Sequence, residues 1–164
     1  MTDFAALIAV LVEGGVEFVV VGGAAATAHG AARLTLDLDI VYGRSEQNLA
    51  RLAEALRPYD PYLRGMPPGL PFVLDRKTLA NGVNFTLVTT LGDLDLLGEI
   101  TGGGGYSDLL PYTIRLTLFE RTCLCLNLPR LIFVKRAAGR PKDLEALSEL
   151  QALLEESGVV GDPQ

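Results

Sequence analysis

A run of β-branched residues that ends at two glycines is the feature that most constrains the fold of this chain. Residues 16–21 read Val-Glu-Phe-Val-Val-Val, and Gly22 and Gly23 follow directly. Such a run predicts a buried strand, and the alanine-rich segment 24–29 that comes next predicts a helix. A strand that turns at once into a helix needs a tight connection, which glycine permits. The core of the chain therefore begins with a strand–turn–helix unit.

A second predicted strand carries carboxylates inside an apolar run. Residues 35–42 read Thr-Leu-Asp-Leu-Asp-Ile-Val-Tyr. Because residues i and i+2 of a strand share a face, Asp37 and Asp39 would stand about 7 Å apart on the same side. Unpaired, these charges would repel each other and would be costly to bury. A divalent cation, Mg²⁺ or Mn²⁺, resolves both problems. The alternative is an ordinary half-exposed strand with its polar residues outward.

A further segment repeats the alternation of acids and aliphatic residues. Residues 92–97 read Gly-Asp-Leu-Asp-Leu-Leu. Asp95 lies deeper in the apolar run, so we predict that it is the third carboxylate beside Asp37 and Asp39, as a metal ligand and a general base. Asp93 follows a glycine, which favours a turn residue, and it is the alternative third acid. Three acids from two strands beside a glycine turn predict phosphoryl or nucleotidyl transfer.

The glycine turn itself has two interpretations. A tight connection alone would explain Gly22 and Gly23, whereas amides at the start of a helix could also cradle a phosphate. No Gly-Lys-Ser/Thr follows, so the turn is not a P-loop. The G-x-G-x-x-G fingerprint of dinucleotide-binding folds is absent as well.

Taken together, the turn and the acidic strand resemble a known signature. Gly22-Gly23, a gap of thirteen residues, and Asp37-Leu-Asp39-Ile match the pattern of the polymerase-beta-like nucleotidyltransferase superfamily. The resemblance implies that the two glycines hold the β and γ phosphates of an NTP. It also implies two Mg²⁺ ions on Asp37 and Asp39, with Asp95 on the second ion. An acceptor hydroxyl would then attack the α-phosphorus, and pyrophosphate would leave.

Basic residues gather late in the chain. Residues 130–142 contain five of the fourteen basic residues and no acid, and a solvated helix face is the alternative to a phosphate contact. The Lys135…Lys142-Asp143 segment looks like the motif of AbiEii-like toxin nucleotidyltransferases from type IV toxin–antitoxin systems. This likeness implies nucleotide contacts from Lys135 and Lys142, and an antitoxin protein as a partner. Arg33 is a further candidate, because it could pair with Asp37 or reach a substrate phosphate.

Composition narrows the remaining function classes. The net charge of −6 argues against a whole-surface grip on nucleic acid, so an acceptor such as tRNA would need a local patch. Cys123 and Cys125 are the two cysteines and His29 the one histidine, which excludes a structural zinc site and favours the cytoplasm. The apolar stretch 4–12 is too short to span a membrane. Open alternatives are a non-catalytic module or antitoxin partner of the same fold, and a phosphohydrolase.

The predicted architecture is one α/β (α+β) domain over residues 1–157, with a frayed tail at 158–164. A mixed β-sheet is flanked by helices, and a helical pair closes the chain. The predicted strands are 16–21, 35–42, 84–90, 94–97, 112–119 and 122–126. The predicted helices are 2–13, 24–29, one capped by Ser45, 75–81, 106–110, 129–138 and 142–155.

Overall fold

The structure is a computed structural model that describes residues 1–158, so most of the predicted frayed tail lies outside the described residues. Its strands are β1 (Phe18–Val21), β2 (Asp37–Tyr42), β3 (Tyr62–Leu63), β4 (Asn84–Thr89), β5 (Gly92–Leu97), β6 (Glu99–Ile100), β7 (Gly104–Gly105), β8 (Thr113–Leu118) and β9 (Arg121–Leu126). Its α-helices are α1 (Phe4–Glu13), α2 (Gly22–Ala28), α3 (Glu46–Leu56), α4 (Arg76–Asn81), α5 (Tyr106–Leu109), α6 (Leu128–Ala138) and α7 (Pro141–Ser157).

Within residues 1–158, the strands form a seven-stranded mixed sheet in the order β3-β4-β5-β2-β1-β9-β8, and β6 and β7 pair separately. β2 runs parallel to β5 and antiparallel to β1, which in turn runs parallel to β9. The register sets Asp39 opposite Val21 on one side and opposite Asp95 on the other. The predicted α/β fold, with a mixed sheet flanked by helices and a C-terminal helical pair, is confirmed.

Two groups of helices cover the two faces of the sheet. Val20 and Leu38 border the same cavity as Ile8 of α1, so one face is turned towards that helix. Val21 and Asp39 point to the other face, where they share a cleft with α6 and α7. The central strands are therefore apolar on both sides except at the acids, and the core includes fully buried residues of β1, β2 and β5.

The N-terminus differs from its prediction. Asp3, not Thr2, is the N-cap of α1, and its side chain accepts a hydrogen bond from the Ala6 amide at 3.0 Å. The Thr2 hydroxyl instead accepts a hydrogen bond from the Asp93 amide at 3.0 Å. The first residues are therefore fastened to the start of β5, and the predicted cap at Thr2 is wrong.

Five strands begin one or two residues away from their predicted starts, and β1 and β5 show the physical reasons. β1 starts at Phe18, because the Glu17 amide donates to the Asn48 side chain at 2.7 Å instead of joining the sheet. β5 starts at Gly92, whose φ of +119° is natural only for glycine. Asp93 is therefore a strand residue opposite Asp37, and its interpretation as a turn residue is wrong.

Neither cysteine forms a disulfide bond. Cys123 and Cys125 lie on β9 with free, buried thiols, and burial raises the pKa of Cys125 to about 12. Both thiols therefore behave as small apolar core groups.

Across residues 1–158, no helix combines the length and the apolar character that crossing a membrane requires.

Candidate active site

Three carboxylates meet at the centre of the sheet. One oxygen from each of Asp37, Asp39 and Asp95 lies within 4.8 Å of the other two. The parallel register of β2 and β5 produces this geometry, because it sets Asp39 beside Asp95 and turns both to the face covered by α6 and α7. The acids that alternate along the sequence thus form one cluster in space, which we call the acidic cluster.

Asp39 is the most perturbed member of the acidic cluster. Its burial and the charges of Asp37 and Asp95 raise its pKa to about 7, and Lys142 opposes the rise. The Asp39 Oδ1 atom is buried and has no hydrogen-bond partner within residues 1–158. A buried oxygen without a partner costs free energy in a finished core, so this atom points to a ligand.

Asp95 shows the same physics in milder form. Burial, followed by a hydrogen bond with Asp37, raises its pKa, while the hydrogen bond and charge of Arg64 lower it. The raised pKa values of Asp39 and Asp95 mean that it is unfavourable for all the carboxylates of the site to be ionised together. Hard oxygen donors at this spacing, one of them unpartnered, fit a divalent cation such as Mg²⁺ or Mn²⁺.

The glycine turn lies against the acidic cluster, and its two glycines are needed there. Gly22 has a φ of +63°, and a Cβ on it would collide with the Asp39 carboxylate. A Cβ on Gly23 would stand only 2.7 Å from the Thr35 hydroxyl. A side chain at position 22 would fill the space beside Asp39, and a side chain at position 23 would collide with Thr35. The turn therefore leaves open backbone next to the acids, as the approach of a phosphate requires.

A basic wall faces the acids from the junction of α6 and α7. Asp143 is 1% exposed and accepts hydrogen bonds from the Arg140 Nε and Nη2 atoms at 2.6 and 3.2 Å. The Arg140 amide donates to the same carboxylate at 3.3 Å, and Lys135 Nζ lies 3.6 Å from it. Burial alone would raise the pKa of Asp143, but the hydrogen bond and charge of Arg140, with the charge of Lys135, lower it. Asp143 thus pairs with both cations from the first turn of α7.

A cleft of about 380 Å³ joins these parts. All eight predicted site residues line it: Gly22, Gly23, Arg33, Asp37, Asp39, Asp95, Lys135 and Lys142. The structure therefore brings together residues that the sequence places more than a hundred positions apart. Arg33 forms its ion pair with Glu145 at 3.7 Å, so the suggested pairing with Asp37 is wrong. His29 lies elsewhere, with Nε2 at 2.8 Å from the Leu126 carbonyl oxygen, which favours a structural role.

Two residues of the site were missed from sequence. Arg64 contacts the acidic cluster through Asp95 at 2.8 Å, although it lies between the helix capped by Ser45 and the helix 75–81, where the sequence predicts no strand. No local signal marks it, because its position depends on the pairing of the two-residue strand β3. Arg140 was counted only as one of several basics, and its partner Asp143, at the first turn of a helix, was the available signal.

Comparison with solved structures gives the fold a name. Over 92% of this chain and 96% of the other, the backbone matches a lincosamide antibiotic adenylyltransferase, LnuA, solved with lincomycin bound, at a TM-score of 0.59 and 14% identity. The chain has the nucleotidyltransferase fold. The candidate nucleotidyltransferase TM1012 of Thermotoga maritima shares this fold at a TM-score of 0.53 and 14% identity, over 92% of this chain and 89% of that one. No protein-family model and no curated protein matches the chain.

Proposed function

We propose that this chain is a Mg²⁺-dependent nucleotidyltransferase that moves an NMP from an NTP to an acceptor hydroxyl. The observation that carries the proposal is the unpartnered, buried Oδ1 of Asp39 inside the acidic cluster of a nucleotidyltransferase fold. A chain that only used this fold as a scaffold would gain nothing from acids that destabilise its core. Retention of Asp37, Asp39 and Asp95 at mutual contact supports an enzyme over a non-catalytic module.

The roles of the residues follow from their positions. Asp37, Asp39 and Asp95 would hold the divalent cations, for which two Mg²⁺ ions or Mn²⁺ are suitable. Bound there, the cations would neutralise the charge that develops on the transferred phosphoryl group. Asp95 would also accept the proton of the acceptor hydroxyl, because its carboxylate lines the cleft beside Asp37 and Asp39.

The glycine turn and the basic residues of the cleft suit the triphosphate. Gly22 and Gly23 expose backbone without side chains beside Asp39, and we assign the β and γ phosphates to them. Lys135 and Lys142 line the same cleft and would neutralise the phosphates, with Arg33 at its mouth. In-line attack requires the acceptor to approach from the side of Asp95, and positioning would supply much of the rate gain.

The acceptor is the finer part of the proposal. LnuA is a lincosamide antibiotic adenylyltransferase, so a small molecule with a hydroxyl group is one acceptor class. The likeness of Lys135, Lys142 and Asp143 to the AbiEii-like motif supports an RNA or protein acceptor and a toxin–antitoxin role. The same motif residues border the cleft here, which is compatible with either class.

Incubation of the protein with each of the four α-labelled NTPs, Mg²⁺ and cell extract tests the proposal. Label should pass to one fraction of the extract, and treatment of the product with nuclease or protease then sorts RNA, protein and small-molecule acceptors. Transfer should stop when EDTA is added. Absence of transfer from all four NTPs, together with co-purification of a protein partner, would favour the non-catalytic module or antitoxin partner.

A further inference from the structure

Arg64 reaches the acidic cluster from two strands away. It follows β3, and its amide continues the pairing of that strand by donating to the Thr86 carbonyl at 2.9 Å. Thr86 of β4 lies opposite Asp95 of β5. Arg64, Thr86 and Asp95 therefore form one row across the sheet. The guanidinium crosses over β4 to reach the acid, and the exposed threonine in the middle of the row is small enough to let it pass.

The Arg64 side chain is a fixed cation and not a loose surface group. Its Nη2 atom donates both to the Leu87 carbonyl at 2.7 Å and to Asp95 Oδ1 at 2.8 Å. The Nε atom lies 3.5 Å from Asp93 Oδ2. The Nη1 atom lies 3.9 Å from Asp37 Oδ2, and the side chain is 33% exposed. One positive charge is thus held among three carboxylates.

Two of those three carboxylates, Asp37 and Asp95, are among the three that the proposed function assigns to divalent cations. The guanidinium is hydrogen-bonded to Asp95 Oδ1 and so occupies an oxygen that could ligate the cation. Its charge also repels a second cation a few ångströms away. We propose that Arg64 is a built-in counter-cation that lowers the affinity of the acidic cluster for a free divalent cation. This inference rests on the proposed function, because it takes Asp37, Asp39 and Asp95 as the cation ligands.

The arrangement has a consequence for the order of binding. Arg64 offsets part of the repulsion within the acidic cluster when no nucleotide is present, which lets the acids stay together in the apolar sheet. Phosphate oxygens would add ligands beside Gly22 and Gly23 that the carboxylates alone do not supply. The affinity of the site for a divalent cation should therefore depend on the nucleotide more strongly than the three acids alone would suggest.

The test is calorimetric titration of the full chain with Mn²⁺ alone, after treatment with EDTA and dialysis. Arg64→Gln and Arg64→Met both remove the charge, and each should bind Mn²⁺ about tenfold more tightly than the wild type. Arg64→Lys keeps the charge and should stay within about threefold. Circular dichroism and thermal melting verify that each variant is folded.

Arg121→Gln is the matched control. It changes the net charge by the same amount, but Arg121 pairs with Glu13 and not with the acidic cluster. Its Mn²⁺ affinity should stay within about twofold of the wild type, since exposed charges are screened. An affinity gain in Arg121→Gln equal to that in Arg64→Gln would overturn the inference, because net charge alone would then explain it.

Two outcomes separate the inference from the function beneath it. If Asp39→Asn abolishes Mn²⁺ binding while Arg64→Gln and Arg64→Met bind no more tightly than the wild type, the counter-cation role is wrong and the cation site stands. If Asp39→Asn binds Mn²⁺ as tightly as the wild type, the cation lies elsewhere, and both the proposed function and this inference fail.

Discussion

The two sides of the cleft differ in how their carboxylates are paired. On the α6–α7 wall, the single carboxylate of Asp143 is surrounded by donors from Arg140 and Lys135, and every contact is an ordinary ion pair or hydrogen bond. On the β2–β5 side, the carboxylates of Asp37, Asp93 and Asp95 share one guanidinium from Arg64, and a buried oxygen of Asp39 has no partner in residues 1–158.

The difference separates structural charge from functional charge. A fully paired carboxylate needs no further ligand, and removing one partner of such a buried pair leaves an uncompensated charge. A carboxylate that is crowded by like charges and has one buried oxygen without a partner costs stability, and such groups cluster where a ligand completes them. Removing the Asp143 charge should therefore lower the free energy of unfolding. Removing the Asp39 charge should lower the transfer activity and raise the free energy of unfolding.

The largest expected effect is on nucleotidyl transfer, through the acidic cluster. Asp39→Asn keeps the shape of the side chain and removes one charge, so transfer of label from an α-labelled NTP should fall at least about 100-fold. Asp93→Asn is the matched control, because Asp93 lies on β5 but outside the trio of acids, and its loss should stay below about tenfold. Equal losses in the two variants would erase the distinction between the trio and its neighbour.

The next effect is on the stability of the basic wall. Asp143→Asn leaves the cations of Arg140 and Lys135 without their counter-charge, and we expect a loss of about 2–3 kcal/mol in the free energy of unfolding. The lower end reflects the Arg140 side chain, which is 60% exposed. Urea denaturation measures the loss. Glu145→Gln removes an exposed partner on the same helix and should change stability by less than about 0.5 kcal/mol.

Several of these residues were predictable because local patterns determine them. A β-branched run sets β1, and acids at i and i+2 set the common face of Asp37 and Asp39. The position of Arg64 was not predictable, because it depends on the pairing of a two-residue strand with β4. The true partners of Asp143 were also hidden, since a helix-start acid has several cations within reach and only the packing of α6 against α7 selects among them.

A smaller effect on stability, of opposite sign to that of Asp143→Asn, is expected at Asp39 of the acidic cluster. The folded-state pKa of Asp39, about 7, lies above its unfolded value of 3.8, so the folded state holds this proton more tightly. The stability that the proton confers is present at low pH and is lost as pH rises from about 4 to 7. In EDTA, Asp39→Asn should therefore be more stable than the wild type by about 1–2 kcal/mol at pH 8.

Thermal melts at pH 8 and pH 5 check this sign. The advantage of Asp39→Asn should shrink at pH 5, where the folded wild type is protonated at Asp39. A variant that is less stable than the wild type at pH 8 would mean that the Asp39 carboxylate has a stabilising partner.

The smallest effect should come from the exposed part of the basic wall. Lys142 lines the cleft as a single exposed ammonium, so Lys142→Ala should weaken nucleotide binding by about threefold to tenfold and should leave the melting temperature unchanged. Titration with a non-hydrolysable NTP analogue measures this. Arg136→Ala, an exposed basic residue of α6 outside the cleft, should bind the analogue like the wild type, and an equal loss there would point to a general effect of charge.

In the proposed function, a cation and a nucleotide meet at the acidic cluster. The most direct test is a crystal of the protein grown with Mn²⁺ and a non-hydrolysable NTP analogue, measured with anomalous diffraction. We predict an anomalous peak bonded to oxygens of Asp37 and Asp39, with the triphosphate beside Gly22 and Gly23. A Mn²⁺ peak and a triphosphate that lie away from these residues would contradict the account.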